Sequence, residues 1–107
     1  MTNHTPTPRF VDLPPCLAAI VIDALDVIDV RGADEFNGEL GHIADAQLIP
    51  LDTLEQSLPD LDRQRPLLVV CRSGKRSARA AARLADHGFA AVFNLDGGMQ
   101  AWNMRSC

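Results

Sequence analysis

The chain is organised around twelve consecutive residues, Leu67-Leu68-Val69-Val70-Cys71-Arg72-Ser73-Gly74-Lys75-Arg76-Ser77-Ala78. The four apolar residues before the cysteine follow a proline and predict a short buried strand. The alanine-rich segment after the polar loop predicts a helix, so the loop joins the end of a strand to the start of a helix. Backbone N–H groups and the positive end of the helix dipole then converge on one place. A cysteine at that place is expected to have a lowered thiol pKa and a stabilised thiolate.

Length and composition predict one small globular domain. The chain has 107 residues, of which 47% are hydrophobic, and this is enough for a single modest core. Apolar residues run through the whole length, so we expect a flexible tail over residues 1–8 and a folded domain over residues 9–107. Tyrosine is absent and other aromatic residues are few, which argues against nucleic acid as a partner, because a stacking platform for single strands has little to build with.

Charge is distributed unevenly along the chain. Residues 63–85 contain seven basic residues and no acidic residue: Arg63, Arg65, Arg72, Lys75, Arg76, Arg79 and Arg83. The net charge of the whole chain is −4, so the remainder carries −11. An acidic chain with one basic segment around a cysteine favours a small anionic ligand over a nucleic-acid surface.

The cysteines predict a cytoplasmic protein with reduced thiols and no metal. Cys16, Cys71 and Cys107 are odd in number and widely spaced, and they form neither a CxxC pair nor a zinc-ligand pattern. The segment from Met1 to Pro8 lacks the apolar run of a secretory signal. No window approaches the roughly 18 apolar residues that span a bilayer, so no membrane partner is expected.

The order of predicted elements indicates an α/β fold. Strands are predicted at residues 9–12, 25–30, 47–49, 67–70 and 90–94. Helices are predicted at residues 16–20, 34–37, 53–57, from the central loop to about 87, and at 97–102. Asp52 is the predicted N-cap of the third helix, and Ala78, Ala81, Ala82 and Ala85 the inner face of the fourth. The alternation predicts a single small domain with a mostly parallel sheet of about five strands and helices on both faces. Ligands of such sheets bind beyond the carboxyl ends of strands, where Cys71 stands.

The spacing within the loop separates two kinds of cysteine chemistry. Four residues separate Cys71 from Arg76, whereas a protein-tyrosine-phosphatase loop has five and is wide enough to wrap a phosphate. The loop is not a Walker A motif either, because Val69 replaces its first glycine and Arg76 replaces its Ser or Thr. The shorter loop favours a single sulfur carried on the cysteine over a phosphoryl group.

Three motifs resemble the rhodanese-like (thiosulfate sulfurtransferase) domain family. The segment Cys71–Ser77 is similar to the active-site loop of single-domain members. Upstream, Ile28-Asp29-Val30-Arg31, Glu35-Phe36 and Gly41-His42-Ile43 resemble the first family motif. Downstream, Asn94-Leu95-Asp96-Gly97-Gly98-Met99 with Trp102 resembles the C-terminal motif. The likeness spans residues 9–102 and departs at Ala44-Asp45-Ala46, where the family usually has Pro, Gly and Ala.

The resemblance implies ping-pong catalysis through a persulfide on Cys71. The thiolate would take the outer sulfur of a donor such as thiosulfate, and a thiophilic acceptor (cyanide, a small thiol or a protein thiol) would remove it. No cofactor is implied. Backbone N–H groups of residues 72–76 would hold the sulfur anion, with positive charge from the loop's cations for the anionic donor. The implied substrate-binding residues are Arg72, Ser73, Gly74, Lys75, Arg76 and Ser77.

Other interpretations of the chain stay open. One alternative is a phosphatase or arsenate-reductase-like cysteine enzyme, and another is a non-catalytic module that serves as a docking or redox-sensing surface. Outside the loop, four residues are expected to hold loops through ion pairs and hydrogen bonds: Asp29, Arg31, Glu35 and His42. Arg79 and Arg83 are expected on a solvent face. Gly97 and Gly98 are interpreted as close-approach positions, and Cys107 is a candidate resolving or acceptor thiol.

Overall fold

A computed structural model describes residues 9–107, so the predicted tail at residues 1–8 lies outside the described residues. The strands are β1 (Phe10–Leu13), β2 (Asp26–Asp29), β3 (Gln47–Leu48), β4 (Leu67–Val70) and β5 (Val92–Leu95). The helices are α1 (Pro15–Val21), α2 (Ala33–Phe36), α3 (Leu54–Ser57), α4 (Lys75–Asp86) and α5 (Gly98–Asn103). Short 3-10 turns lie at Ile22–Ala24, Leu51–Thr53 and Leu58–Asp60.

The five strands form one parallel sheet in the order β1-β5-β4-β2-β3. This confirms the predicted α/β class and strand number. Strand β4 is central, with Val69 paired to Ile28 on one side and to Asn94 on the other. All four of its residues are buried, because helices cover both faces of the sheet. That double burial explains the unbroken apolar run that precedes Cys71.

The two faces of the sheet carry two separate cores. Leu67, Val69 and Cys71 pack on the side of α3 and α4, whereas Leu68 and Val70 pack on the side of α1 and α5. Successive side chains of a strand point to opposite faces, so Cys71 continues the row of Leu67 and Val69. The alternation therefore directs the cysteine toward the helix that follows it.

Helix α4 meets the sheet through a different face from the predicted one. Its buried residues are Ser77, Ala80, Ala81, Leu84 and Ala85, a pattern with helical period. The predicted face was wrong at Ala82, which is exposed, and at Ala78, which is only half-buried. The positions of the alanines alone do not identify the buried face of α4. Burial of the larger side chain of Leu84 decides which side of the helix faces the sheet. Gly88, with φ of 88°, follows the helix and supports its predicted end near residue 87.

The segment between β3 and β4 also differs from the prediction. Asp52 is not an N-cap: it lies within the 3-10 turn Leu51–Thr53, and no side chain caps α3. The N–H of Leu51 donates to the carbonyl of Val30 at 3.1 Å, which ties this turn to the end of β2. The start of the helix is thus set by a tertiary contact and by the burial of Leu54, and the local capping pattern does not decide it.

The departure from the family motif at residues 44–46 forms a turn with unusual backbone geometry. Asp45 has φ of 66° and is the only non-glycine residue with positive φ among residues 9–107. Glycine adopts this conformation without a steric cost, whereas an aspartate tolerates it at some cost. The turn therefore has a backbone conformation that favours glycine, although this chain has Asp45 at that position.

Within the described chain, the longest helix, α4, has twelve residues, and no helix meets the length and apolarity needed to cross a membrane.

Candidate active site

The loop between β4 and α4 turns at Gly74. This residue has φ of 97° and lies immediately before the first helical residue. A Cβ at this position would lie 3.2 Å from the backbone nitrogen of Gly97. Glycine is therefore required here both for the backbone conformation and for the close approach of the loop to the segment before α5.

The sulfur of Cys71 accepts three hydrogen bonds from the loop and from the first turn of α4. The N–H groups of Gly74 and Ser77 lie 3.1 and 3.3 Å from Sγ, and the Ser77 hydroxyl lies 3.2 Å away. Cys71 itself is 0% exposed. Burial raises the pKa of Cys71, but the hydrogen bonds from the Ser77 hydroxyl and from the N–H groups of Ser77 and Gly74 lower it by more, so the pKa is lowered overall. The direction agrees with the predicted stabilised thiolate.

A second layer of polar groups stands behind Ser77. Its hydroxyl contacts Oδ1 of Asn94, whose Nδ2 donates to Oδ1 of Asp12 at 3.0 Å and to the carbonyl of Gly74 at 3.2 Å. Asn94 is 3% exposed. Neither Asn94 nor Asp12 is among the site residues predicted from the sequence. The sequence feature that could have identified Asn94 is its position as the polar residue of an otherwise apolar strand, β5, which lies next to β4.

The backbone of the loop is clamped by the first turn of α5. The N–H of Met99 donates to the carbonyl of Cys71 at 2.9 Å, and that of Gln100 donates to the carbonyl of Arg72 at 3.1 Å. A Cβ on Gly98 would overlap both carbonyls, with 2.5 Å to the oxygen of Cys71. The close-approach interpretation of Gly98 is confirmed.

The cations of the loop have different surroundings. Arg72 and Lys75 are exposed, and neither forms an ion pair among the residues that the structure describes. Arg76 instead binds Glu35 in α2 with two parallel hydrogen bonds of 2.7 and 2.8 Å. The hydrogen bonds from Arg76 lower the pKa of Glu35. The charge of Arg76 is thus largely offset, and the pair fastens α2 to the start of α4.

Two of the four expected loop-holding residues form a buried ion pair. Arg31 and Asp29 are 1% and 0% exposed, and Arg31 binds both carboxylate oxygens of Asp29, at 2.9 and 2.7 Å. Arg31 also donates to the carbonyls of Glu35 and Gly41. The structural interpretation of this pair is confirmed, because its bonds fix the chain between β2 and residue 41.

His42 holds the same loop from its exposed side. Its Nδ1 lies 2.8 Å from the carbonyl oxygen of Phe36, and the two rings stack with centroids 3.6 Å apart. The expected structural role of His42 is confirmed.

The remaining basic residues of residues 63–85 are scattered by the fold. Arg65 pairs with Asp26 at 2.8 Å, at the amino end of β2. Arg63 lies over the ring of Phe89. Both are therefore far from the carboxyl end of β4. Arg79 and Arg83 are exposed as expected.

The other two cysteines lie outside the loop. Cys16 is half-buried in α1, and Cys107 is exposed. A hydrogen bond with Cys107 raises the pKa of Cys16. No group of three or more His, Cys, Asp or Glu side chains within residues 9–107 is placed to hold a metal ion.

A shallow cavity opens beside the loop. It has a volume of about 220 Å³. Its lining residues are Arg31, Asp34, Glu35, Gly38, Glu39, Leu40 and Arg72. A larger cavity of about 610 Å³ has Asp26, Leu67 and Trp102 among its lining residues and none of residues 71–77. A third cavity, of about 420 Å³, is lined on one side by Arg76, so the cysteine loop adjoins two cavities, one at Arg72 and one at Arg76.

The sequence model of the rhodanese-like domain family matches residues 15–105. The chain belongs to this family. The recognition made from three short motifs is thereby confirmed, and the matched residues include the rhodanese-like loop and both flanking motifs.

Individual relatives within the family agree with this assignment. The thiosulfate sulfurtransferase GlpE of Shewanella oneidensis is 38% identical over 80 residues, which are 75% of this chain and 77% of that protein. The uncharacterised protein YqhL of Bacillus subtilis is 40% identical over 76 residues, or 71% of this chain. The matched part is only 59% of YqhL, so this chain spans less than two thirds of that relative.

Solved structures confirm the rhodanese-like fold. A rhodanese-related protein of Thermoplasma volcanium superposes with a TM-score of 0.80 at 30% identity, covering 89% of this chain and 92% of that one. A rhodanese-like domain protein of Staphylococcus aureus superposes with a TM-score of 0.78 at 30% identity, covering 87% and 91%.

Proposed function

We propose that the chain is a sulfurtransferase in which residues 9–107 form the working unit and Cys71 carries the transferred sulfur as a persulfide. The observation that carries the proposal is the set of three hydrogen bonds on the Cys71 sulfur. These bonds stabilise a thiolate within a loop too short to wrap a phosphoryl group. The likeness to GlpE, a thiosulfate sulfurtransferase, supports the same chemistry.

In the first half-reaction the Cys71 thiolate attacks the outer sulfur of thiosulfate or another sulfane donor. A new S–S bond forms on Cys71, the donor's S–S bond breaks, and sulfite leaves with that electron pair. The negative charge now resides on the outer sulfur. N–H groups in the first turn of α4, at Lys75 and Arg76, lack acceptors within the helix and would stabilise that anion together with the helix dipole.

In the second half-reaction a thiophilic acceptor attacks the outer sulfur. Cyanide would leave as thiocyanate, and a small thiol or a protein thiol would leave as a persulfide. The S–S bond to the enzyme breaks, and its electrons return to Cys71 as the thiolate. The three hydrogen bonds lower the pKa of Cys71, which raises the fraction of thiolate available for the first attack and makes that thiolate a better leaving group in the second.

Burial and charge select for a small anionic donor. Cys71 is 0% exposed, so a bulky donor has poor access to its sulfur. The exposed Arg72 and Lys75 supply positive charge near Cys71. The Arg76–Glu35 pair adds no net charge and instead holds the first turn of α4 in position. The acceptor is proposed to approach past Arg72, along the small cavity beside the loop.

Intact-mass measurement of the purified protein after incubation with thiosulfate tests the proposal. We expect a gain of one sulfur, about 32 Da, that is removed by cyanide or by a reducing thiol. Cys71→Ser should abolish the gain, whereas the matched variants Cys16→Ser and Cys107→Ser should keep it.

Two outcomes would overturn the proposal. One is the absence of any mass gain with thiosulfate, polysulfide and organic persulfide donors. The other is hydrolysis of phosphate esters that disappears in Cys71→Ala, which would place the protein among cysteine phosphatases.

A further inference from the structure

The Ser77 hydroxyl has one hydrogen and two acceptors within reach. It lies 3.2 Å from the sulfur of Cys71 and also contacts Oδ1 of Asn94. A serine hydroxyl donates only one hydrogen bond at a time. All three residues are buried, at 0%, 0% and 3% exposure. Water is therefore not available to satisfy whichever acceptor the hydroxyl leaves.

The orientation of the Asn94 amide is determined by its other neighbours. Its Nδ2 faces the carboxylate of Asp12 and the carbonyl of Gly74. Both of these groups are acceptors, so they require the NH₂ end of the amide. The oxygen end must then face Ser77 and accept from its hydroxyl.

We propose that Asn94 is a positioning residue that offers the Ser77 hydroxyl a second acceptor, so that the hydroxyl follows the charge on the Cys71 sulfur. When Cys71 is a neutral thiol, its S–H donates to Oγ of Ser77, and the hydroxyl donates to Asn94. When the sulfur is an anion, the hydroxyl turns and donates to it. The two states differ only by rotation of one O–H bond.

The same exchange serves each half-reaction of the proposed function, on which this part of the inference rests. Formation of the persulfide removes the charge from the inner sulfur, and the hydroxyl turns to Asn94. When the acceptor takes the outer sulfur, charge returns to the Cys71 sulfur, and the hydroxyl turns back. Asn94 thus holds the donor in place during the half of the cycle in which the inner sulfur does not need it.

The charged residues near Cys71 are Arg76 with Glu35, Arg31 with Asp29, Asp12 behind the amide, and the exposed Arg72 and Lys75. None of the variants that test the proposal replaces any of them. Strand β5 and helix α5 present no charged side chain of their own.

The test is a double-mutant cycle on the pKa of Cys71, measured from the ultraviolet absorbance of its thiolate. The background carries Cys16→Ser and Cys107→Ser, so only one thiol titrates. Ser77→Ala should raise the pKa by about one to two, because a hydrogen bond to a charged group is lost. Asn94→Ala should lower the pKa by up to about one, because the hydroxyl no longer has a competing acceptor.

The decisive comparison is Asn94→Ala in a protein that already carries Ser77→Ala. With the hydroxyl gone, the pKa should not respond to Asn94. A pKa change of the same size in both backgrounds, or a rise in pKa when Ser77 is present, would overturn the proposal and leave Asn94 as a brace for Gly74.

Two further variants serve as a substitute for Asn94→Ala and as a control for Ser77→Ala. Asn94→Leu keeps most of the side-chain volume and replaces Asn94→Ala if the smaller residue impairs folding, as judged by thermal unfolding. Ser57→Ala is the serine control: Ser57 ends α3, outside the cysteine loop, so the pKa of Cys71 should not change. The titration needs no sulfur donor, and so it can fail or succeed independently of the sulfurtransferase proposal.

Discussion

Glu35 illustrates how single residues away from the cysteine secure the loop. Its carboxylate receives both hydrogen bonds of the Arg76 guanidinium, a bidentate geometry that fixes position as well as charge. The side chains remain 34% and 39% exposed, so solvent screens the pair. Its contribution to stability is therefore modest, and its larger effect is to hold α2 against the first turn of α4.

We predict that Glu35→Gln destabilises the protein at neutral pH by up to about 1 kcal/mol. The Arg76 hydrogen bonds lower the pKa of Glu35 in the folded state. Its stabilisation is consequently complete above the unfolded-state pKa and disappears as the pH falls through the folded-state pKa. Urea-unfolding midpoints of the parent and the variant should converge on acidification.

The control for this experiment is Glu39→Gln. Glu39 is an exposed acid that follows α2 by three residues and forms no ion pair within the described residues. A stability difference of the same size in Glu39→Gln, or a Glu35→Gln difference that persists in acid, would show that the ion pair is not the cause.

At the scale of elements, the cysteine loop is held between two helix starts. Helix α4 supplies the N–H of Ser77 to the sulfur, and α5 supplies N–H groups to the carbonyls of Cys71 and Arg72. The loop thus has its side chain fixed by one helix and its backbone by the other. Gly98, which opens α5, makes the second contact possible.

We predict that Gly98→Ala destabilises the protein more than Gly88→Ala does. Both residues have positive φ, 61° and 88°, so both variants carry a backbone cost of about 1–2 kcal/mol. Nothing lies within 4 Å of a Cβ on Gly88, whereas one on Gly98 would overlap the carbonyl of Cys71. The overlap should add about 1–3 kcal/mol.

Chemical unfolding of both variants measures this difference. Gly98→Ala should in addition slow sulfur loading of Cys71, because relief of the overlap displaces the loop. Equal unfolding free energies for the two variants would mean that α5 yields easily and does not clamp the loop.

At the scale of the whole molecule, the fold disperses charges that are clustered in the sequence. Arg65 and Arg76 find acidic partners on distant segments. Arg72 and Lys75 are the exposed cations left close to Cys71. An acidic protein with a net charge of −4 thus keeps exposed positive charge beside Cys71, which would attract the anionic donor of the proposed reaction to this part of the surface.

We predict that Lys75→Gln raises the KM for thiosulfate by about threefold to tenfold at low ionic strength. The effect should shrink in high salt, because screening weakens interactions between exposed charges. Steady-state kinetics over a range of salt concentrations measures it.

Arg79→Gln provides the comparison, since Arg79 is also exposed but lies one turn further along α4. Its KM change should be smaller at every salt concentration. Equal changes in the two variants would indicate a general effect of net charge, without a local effect beside Cys71.

Much of this organisation could be predicted from local sequence. The run Leu67–Val70 marked a doubly buried strand, and the change from apolar strand to basic loop to alanine-rich helix placed Cys71 at its end. Such features can be predicted because strand burial, helix starts and glycine turns depend on residues that are adjacent in the chain. The family motifs added the loop's neighbours, Asp29 and Gly98 among them.

The features that the local sequence pattern did not predict depend on contacts between distant segments of the chain. The burial of Ala80 in place of Ala82, and the failure of Asp52 to cap α3, follow from how each helix meets the sheet. The sequence by itself determined the number of strands, the position of Cys71 at the end of β4 and the length of the loop that follows it. Only the tertiary structure paired Arg76 with Glu35 and brought Asn94 to Ser77, because hydrogen bonds between residues 17 to 41 positions apart require the parallel strands to be in register first.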